Sequence, residues 1–156
     1  MSMPDPALAF LDALEGEWRG PGTVEMPTMS PVDFVESVRF GRRDPTSLDY
    51  WQRAERADRS GELLHSEAGI WRHGSAGRLE VSIALEGATE IAEGAVVDGL
   101  LETVSTSVGR AATSTRFRLA RRRYRLEGDT LTYDSWLEST SFPMSDHVSS
   151  LLRRAG

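Results

Sequence analysis

Three histidines and no cysteine set the chemistry open to this 156-residue chain. Any transition-metal site must be built on imidazole or carboxylate. His147 stands in Pro143-Met144-Ser145-Asp146-His147-Val148-Ser149-Ser150-Leu151-Leu152-Arg153, a stretch with strand character. A neutral imidazole there can ligate a metal ion or a haem iron, or serve as a hydrogen-bonded wall residue. Ser145 and Asp146 beside it do not complete a nucleophilic triad. Strand alternation puts Ser145 on the face of His147 and Asp146 on the other, and no nucleophile elbow is present. In Leu63-Leu64-His65-Ser66-Glu67-Ala68-Gly69 the same alternation puts His65 and Glu67 on one face. With His147 that pair would make a two-histidine, one-carboxylate metal set; alone it makes a hydrogen-bonded element of a wall. His73 falls in a turn-like stretch and is expected to be exposed.

The 24 acidic residues are read as scattered over a solvated surface. Asp33 and Glu36 fall on opposite faces of their strand, as do Glu90 and Glu93, so neither pair suits acid–base work. Gly20-Pro21-Gly22 neither follows a strand nor opens a helix, so it is no phosphate loop. A net charge of −6 argues against a nucleic-acid partner, which needs a concentrated basic surface. The one dense basic run, Arg121-Arg122-Arg123 with Arg116 and Arg118 upstream, is read as a solvated strand. All 18 basic residues counted with lysine are arginine, which removes Schiff-base chemistry and any lysine base. Absent cysteine removes disulfides, thiol catalysis and thiolate haem ligation. No apolar run approaches the roughly 20 residues of a membrane span. Met1-Ser2-Met3-Pro4-Asp5-Pro6 lacks the charged and apolar regions of a signal peptide, so a cytoplasmic location is expected.

The elements that would position these residues begin with Ala7 to Leu14, a short helix with Asp5 as N-cap, Pro6 in its first turn and Gly16 just past its end. Gly16-Glu17-Trp18-Arg19-Gly20-Pro21-Gly22 follows. Glycines there let strands approach closely, and the indole of Trp18 is a rigid plug suited to one end of a barrel. Phe34, Glu36, Val38 and Phe40 alternate with their neighbours before a turn at Gly41-Arg42-Arg43-Asp44-Pro45. Further strand-like runs cover Ser47–Glu55, Leu63–Trp71, Leu79–Leu85, Leu100–Val108, Phe117–Leu126, a stretch from Leu131, and Pro143–Arg154. Turn signals at Asp58–Gly61, His73–Gly77, Glu86-Gly87, Asp98-Gly99 and Glu127-Gly128-Asp129 separate them. The pattern predicts one all-β domain over 1–156, an antiparallel up-and-down barrel of about ten strands and calycin-like shape, with one N-terminal helix. A barrel of this size can hold one ligand. Spacing alone goes no further.

Several segments together resemble the nitrobindin family, haem-binding β-barrels related in shape to fatty-acid-binding proteins and lipocalins. The matching motifs, in order, are Gly16-x-Trp18-x-Gly20-x-Gly22 continuing to Pro27-Thr28; His65-Ser66-Glu67-Ala68-Gly69-Ile70-Trp71-Arg72, similar to the family's His-x-Glu-x-Gly-aromatic-x-Arg region; Glu93-Gly94; and Pro143-Met144-x-x-His147. The chain departs from the family at Val24 and Met26, where a glycine and a tyrosine are usual, and matches poorly between Arg121 and Ser141. The resemblance implies haem b held by His147 as the axial ligand, with Thr28 lining the site and His65 near the cavity without a firm role. It implies isomerisation of peroxynitrite to nitrate on ferric haem and binding of nitric oxide in the ferrous state. It leaves the oligomeric state open, a homodimer included. The residues themselves also admit a non-catalytic carrier of a fatty acid or similar apolar ligand, or an interaction barrel with a filled interior.

Overall fold

The computed structural model describes residues 3–114 and 117–156. Helix α1 (Pro6–Leu14) opens the chain, and the Asp5 carboxylate caps it, accepting from the Ala7 and Leu8 amides at 2.8 and 3.3 Å. Its buried residues, Ala7, Phe10, Leu11 and Leu14, recur at the spacing of one helical face. Ten strands follow: β1 (Gly16–Met26), β2 (Met29–Asp44), β3 (Ser47–Arg56), β4 (Leu63–Ser75), β5 (Arg78–Leu85), β6 (Ala88–Val97), β7 (Leu100–Arg110), β8 (Phe117–Glu127), β9 (Thr130–Ser139) and β10 (Ser145–Arg154). Each pairs antiparallel with the next, and β10 returns to β1, closing the barrel as expected.

Local chemistry explains two details of the wall. Gly41 to Asp44 do not form the expected turn but extend the β2–β3 ladder, with Gly41 opposite Asp49 and Asp44 opposite Ser47. Only Pro45 and Thr46 turn, because Asp44 Oδ1 takes the Thr46 amide at 2.9 Å and closes the hairpin without the residues before it. Pro21 sits inside β1 although it has no N–H to give. It pairs with Val35 of β2, while the β1–β10 register runs from Arg19 opposite Arg153 to Gly22 opposite Ser150, with a gap between. Gly20 lies in that gap, and a Cβ on it would stand 1.9 Å from the Leu151 carbonyl oxygen. Only glycine allows so close an approach of the two backbones.

One end of the barrel is closed. Trp18 is 1% exposed and donates its indole N–H to the Leu14 carbonyl at 2.8 Å, fastening α1 across the opening. Arg154 covers the outer face of that indole, 4.3 Å from the ring centroid, and donates to the Ala13 and Glu15 carbonyls at the helix end. Phe10, Leu11, Leu14, Leu48, Leu79, Leu101, Leu131 and Leu152 complete the apolar layer beneath. Above it Phe40, Tyr50, Trp71, Tyr124 and Tyr133 make a chain of ring contacts with centroids 4.9 to 5.7 Å apart. The described part of the chain contains no helix long and apolar enough to cross a membrane.

Candidate functional site

Beyond the aromatic layer, toward the end opposite α1, the interior turns polar. Inward positions of β2 run Phe40, Val38, Glu36, Phe34, and those of β4 run Trp71, Gly69, Glu67, His65. Glu36, Gln52, Glu90, Thr103, Ser105, Arg122, Ser135 and Ser150 are all buried. Polar side chains enclosed to this degree need partners or pay in desolvation.

Arg122 is the first correction to the sequence reading. Arg121 and Arg123 are on the solvated face, flanking Trp136 at 5.9 and 5.5 Å, and Arg118 is exposed. Arg122 between them points inward, in phase with Ala120 and Tyr124, and forms a two-pronged pair with Glu90: Nη1 to Oε2 and Nη2 to Oε1, both 2.7 Å. Ser105 donates a further bond to Glu90 Oε2. Burial opposes the Arg122 charge, yet the Tyr133 and Glu90 charges hold its pKa well above the usual arginine value. Arg116 lies outside the described residues.

His65 and Glu67 share an inward face, as alternation requires. His65 Nε2 lies 2.9 Å from Glu67 Oε2, and the Tyr50 hydroxyl donates to Glu67 Oε1 at 2.8 Å. Burial works against the charge on each member of the pair. The mutual hydrogen bond outweighs it, raising His65 above the usual imidazole range and lowering Glu67 below the usual carboxylate range, with Arg122 and Tyr50 adding to the latter. His65 is therefore disposed to be a cation held in place by an anion.

His147 stands across the mouth. In the closed ring β10 and β4 are separated by β1, β2 and β3 on one side and by five strands on the other. His147 is the extra residue of a bulge, since Asp146 pairs with Trp136 and Val148 with the very next residue, Ser135. The β1–β2 register also shifts beside Glu25, where Val24 pairs with Val32 and Met26 with Met29, so that Ser30 and Pro31 of β2 stand opposite Glu25. The two irregularities meet: His147 Nδ1 is 3.1 Å from the Glu25 carbonyl oxygen. A carbonyl has no proton to give, so Nδ1 carries the hydrogen and donates, and the lone pair of the neutral ring is on Nε2. Burial lowers the pKa of His147, helped by the charges of Arg122 and His65, so the ring is neutral at pH 7. An N–H donated to a backbone carbonyl is how proteins commonly orient an imidazole that ligates a metal through its other nitrogen.

The remaining residues singled out by sequence divide. Thr28 is exposed, in the two-residue turn Pro27–Thr28 of the hairpin that carries Glu25. Val24 pairs with Val32 and Val148 in the wall beside His147. Gly16, Trp18, Gly20 and Gly22 belong to the closure and to the β1 wall rather than to the mouth. His73 is not an exposed turn residue: β4 continues through it, and its Nε2 is 3.1 Å from Asp5 Oδ2, joining β4 to the α1 cap. The three-residue metal set of His65, Glu67 and His147 does not form; among the described residues no cluster of three or more histidine and carboxylate side chains could hold a metal ion. Glu36, Glu90 and Arg122 are the residues sequence reasoning missed. Their signal was phase, since each sits at an inward position of its strand between apolar inward neighbours.

A description of this same architecture, "THAP4-like, heme-binding beta-barrel domain", matches residues 7–154. The chain belongs to that family. Among curated relatives, peroxynitrite isomerase 2 of Mycobacterium avium is 37% identical over 96% of this chain and 95% of its own length. The peroxynitrite isomerase of Nocardia farcinica is 34% identical over 96% and 91%. Among solved structures, Rv2717c from M. tuberculosis superposes with a TM-score of 0.87 at 32% identity, covering 97% of this chain and 98% of that one. The S-type phycobiliprotein lyase CPES of Guillardia theta shares the fold alone, with a TM-score of 0.69 at 10% identity over 99% of each chain. The nitrobindin resemblance is thus borne out across the chain.

Proposed function

We propose that this barrel binds haem b through His147 Nε2 and isomerises peroxynitrite to nitrate in the ferric state, binding nitric oxide in the ferrous state, as a cytoplasmic protein. The single observation that carries the reading is the orientation of His147: neutral, bonded through Nδ1 to the Glu25 carbonyl, and so left with a ligating lone pair at the barrel mouth. The relatives named peroxynitrite isomerase support the choice of substrate. Haem, when bound, supplies the iron chemistry on which peroxynitrite rearranges.

The chain's own residues do the rest. Glu25 fixes the tautomer and tilt of His147. His65, on the far side of the ring of strands, offers a cationic donor toward an anion entering the mouth. Glu67 and Tyr50 hold that imidazole and keep it charged. Thr28, in the turn next to Glu25, lines the site on the His147 side. A fatty-acid carrier is the weaker reading. The buried cation that would meet an acyl carboxylate, Arg122, already has both prongs on Glu90, and the interior above the aromatic layer is polar.

Titration of the purified protein with ferric haem tests the proposal. A sharp Soret band that saturates at one equivalent is expected, weakened in His147→Ala and partly restored by added imidazole. Identical spectra and affinities for the wild type and His147→Ala would overturn the assignment.

A further inference from the structure

Three carboxyl groups lie inside the polar layer, Glu36 and Glu90 buried and Glu67 nearly so, and two of them are matched. Glu90 has Arg122, and Glu67 has His65 and Tyr50. Glu36 forms no ion pair among the described residues, and its Oε2 is buried without a hydrogen-bond partner. The buried side-chain atoms that share that condition include Gln52 Oε1 on β3, Ser135 Oγ on β9 and Ser150 Oγ on β10. Gln52 and Ser150 lie within hydrogen-bonding reach of the Glu36 carboxyl group, which still leaves Oε2 unpartnered. All four side chains are more than nine-tenths buried. They lie on one arc of the wall, β9–β10–β1–β2–β3, in which β1 contributes glycines, Gly20 and Gly22, at the facing positions. Buried polar atoms are rarely left unmatched, and where several gather the usual partner is ordered water.

We propose that this arc is an internal proton-binding site, in which Glu36 takes up and releases a proton and a small cluster of water, held by Gln52, Ser135 and Ser150, is its hydrogen-bond partner. On release the Glu36 O–H bond breaks, the proton passes to a water of the cluster and leaves through the mouth, and the carboxylate stays behind. Uptake is the reverse, with no electron transferred. The charged and titratable groups around Glu36 are Glu67 and His65 on β4, Tyr50 on β3 and Tyr133 on β9; β10 presents the Ser150 hydroxyl and β1 no ionisable group. Burial, then the Glu67 charge, push Glu36 up to about 7, so the site changes charge near neutrality. Each proton released places a negative charge close to His65 and strengthens its cationic form. The site belongs to the barrel itself and does not rest on the haem reading.

The test uses the haem-free full chain with carbon-13-labelled glutamate. Side-chain carboxyl shifts followed from about pH 5 to 9 are expected to show one resonance with a midpoint near 7, absent in Glu36→Gln. Gln52→Leu removes a hydrogen bond that favours the ionised form and is expected to move that midpoint upward, a readout that stands if Glu36→Gln does not fold. Water-to-protein magnetisation transfer to the Gln52 amide is expected in the wild type. A Glu36 resonance already fully ionised at about pH 5.5 overturns the proposal, as does a midpoint set by the identity of added sodium, potassium or ammonium rather than by pH.

Discussion

Glu67 serves two residues at once, and its oxygens divide the work: Oε1 accepts from Tyr50 and Oε2 faces His65. Glu67 is a positioning residue whose effect is read on His65. Glu67→Gln is expected to lower the His65 pKa below its wild-type value, seen by imidazole nitrogen-15 shifts in the haem-free protein. It is also expected to weaken azide binding to the ferric haem complex about tenfold, the scale of one charge-assisted hydrogen bond. An unchanged His65 titration would remove Glu67 from that role. The contrast with His147 is instructive. Both are partly buried strand histidines, but one faces a carboxylate and the other a carbonyl, so one is pushed toward the cation and the other toward the free base. The His65–Glu67 face was legible from the sequence because i and i+2 on a regular strand must coincide. The carbonyl partner of His147 was not, since it depends on two register shifts, the bulge at His147 and the extra β2 residue opposite Glu25, that alternation does not foresee. Arg122 was misread for a related reason. A run of three arginines looks solvated, yet alternation sends the middle one inward, and only the distant Glu90 makes that tolerable.

At the scale of elements, closure depends on α1, and α1 depends on groups remote in sequence. Trp18 holds the Leu14 carbonyl, Arg154 from the last strand holds those of Ala13 and Glu15, and Asp5 at the other end of the helix meets His73 and the Gly77 amide. Trp18→Ala is expected to cost about 3–5 kcal/mol in chemical unfolding, from lost packing in a fully enclosed site. Trp18→Phe should cost less, since it forfeits mainly the indole hydrogen bond. Opposite burial burdens apply in the polar layer. Arg122→Met leaves Glu90 buried without its cation and is expected to destabilise by about 3–5 kcal/mol, whereas the double change Arg122→Met with Glu90→Leu should recover much of that loss. Additive losses in the double variant would contradict the pairing. The helix, its Asp5 cap and most strands were readable because cap chemistry and period-two alternation are local. The extension of β2 past Gly41 was not, because the β3 register that draws those residues into the wall is a long-range matter.

For the whole molecule, the unmatched acid inside the barrel makes stability depend on pH. Glu36 titrates near 7 when folded, against about 4.5 for its ordinary value, so the folded state binds its proton more tightly. That contribution is complete below the ordinary carboxylate range and is lost as pH rises through about 7, up to ~3 kcal/mol in all. Glu67, whose pKa is lowered, acts in the opposite sense and favours folding above the ordinary carboxylate range. Glu36→Gln should therefore melt close to the wild type near pH 5 and roughly 5–10 °C above it near pH 8, a gap that calorimetry at the two pH values resolves. The barrel as a whole thus keeps a tightly sealed apolar end, a polar layer with one acid titrating near neutrality, and an opposite end that carries His147 and His65 with opposite charge preferences. The central claim, that His147 Nε2 is the haem-binding atom, is tested most directly by ferric haem titration of the wild type and His147→Ala, followed at the Soret band. A saturable sharp band is expected in the wild type, with at least a tenfold loss of affinity in the variant; equal affinity and an unchanged band would contradict that assignment.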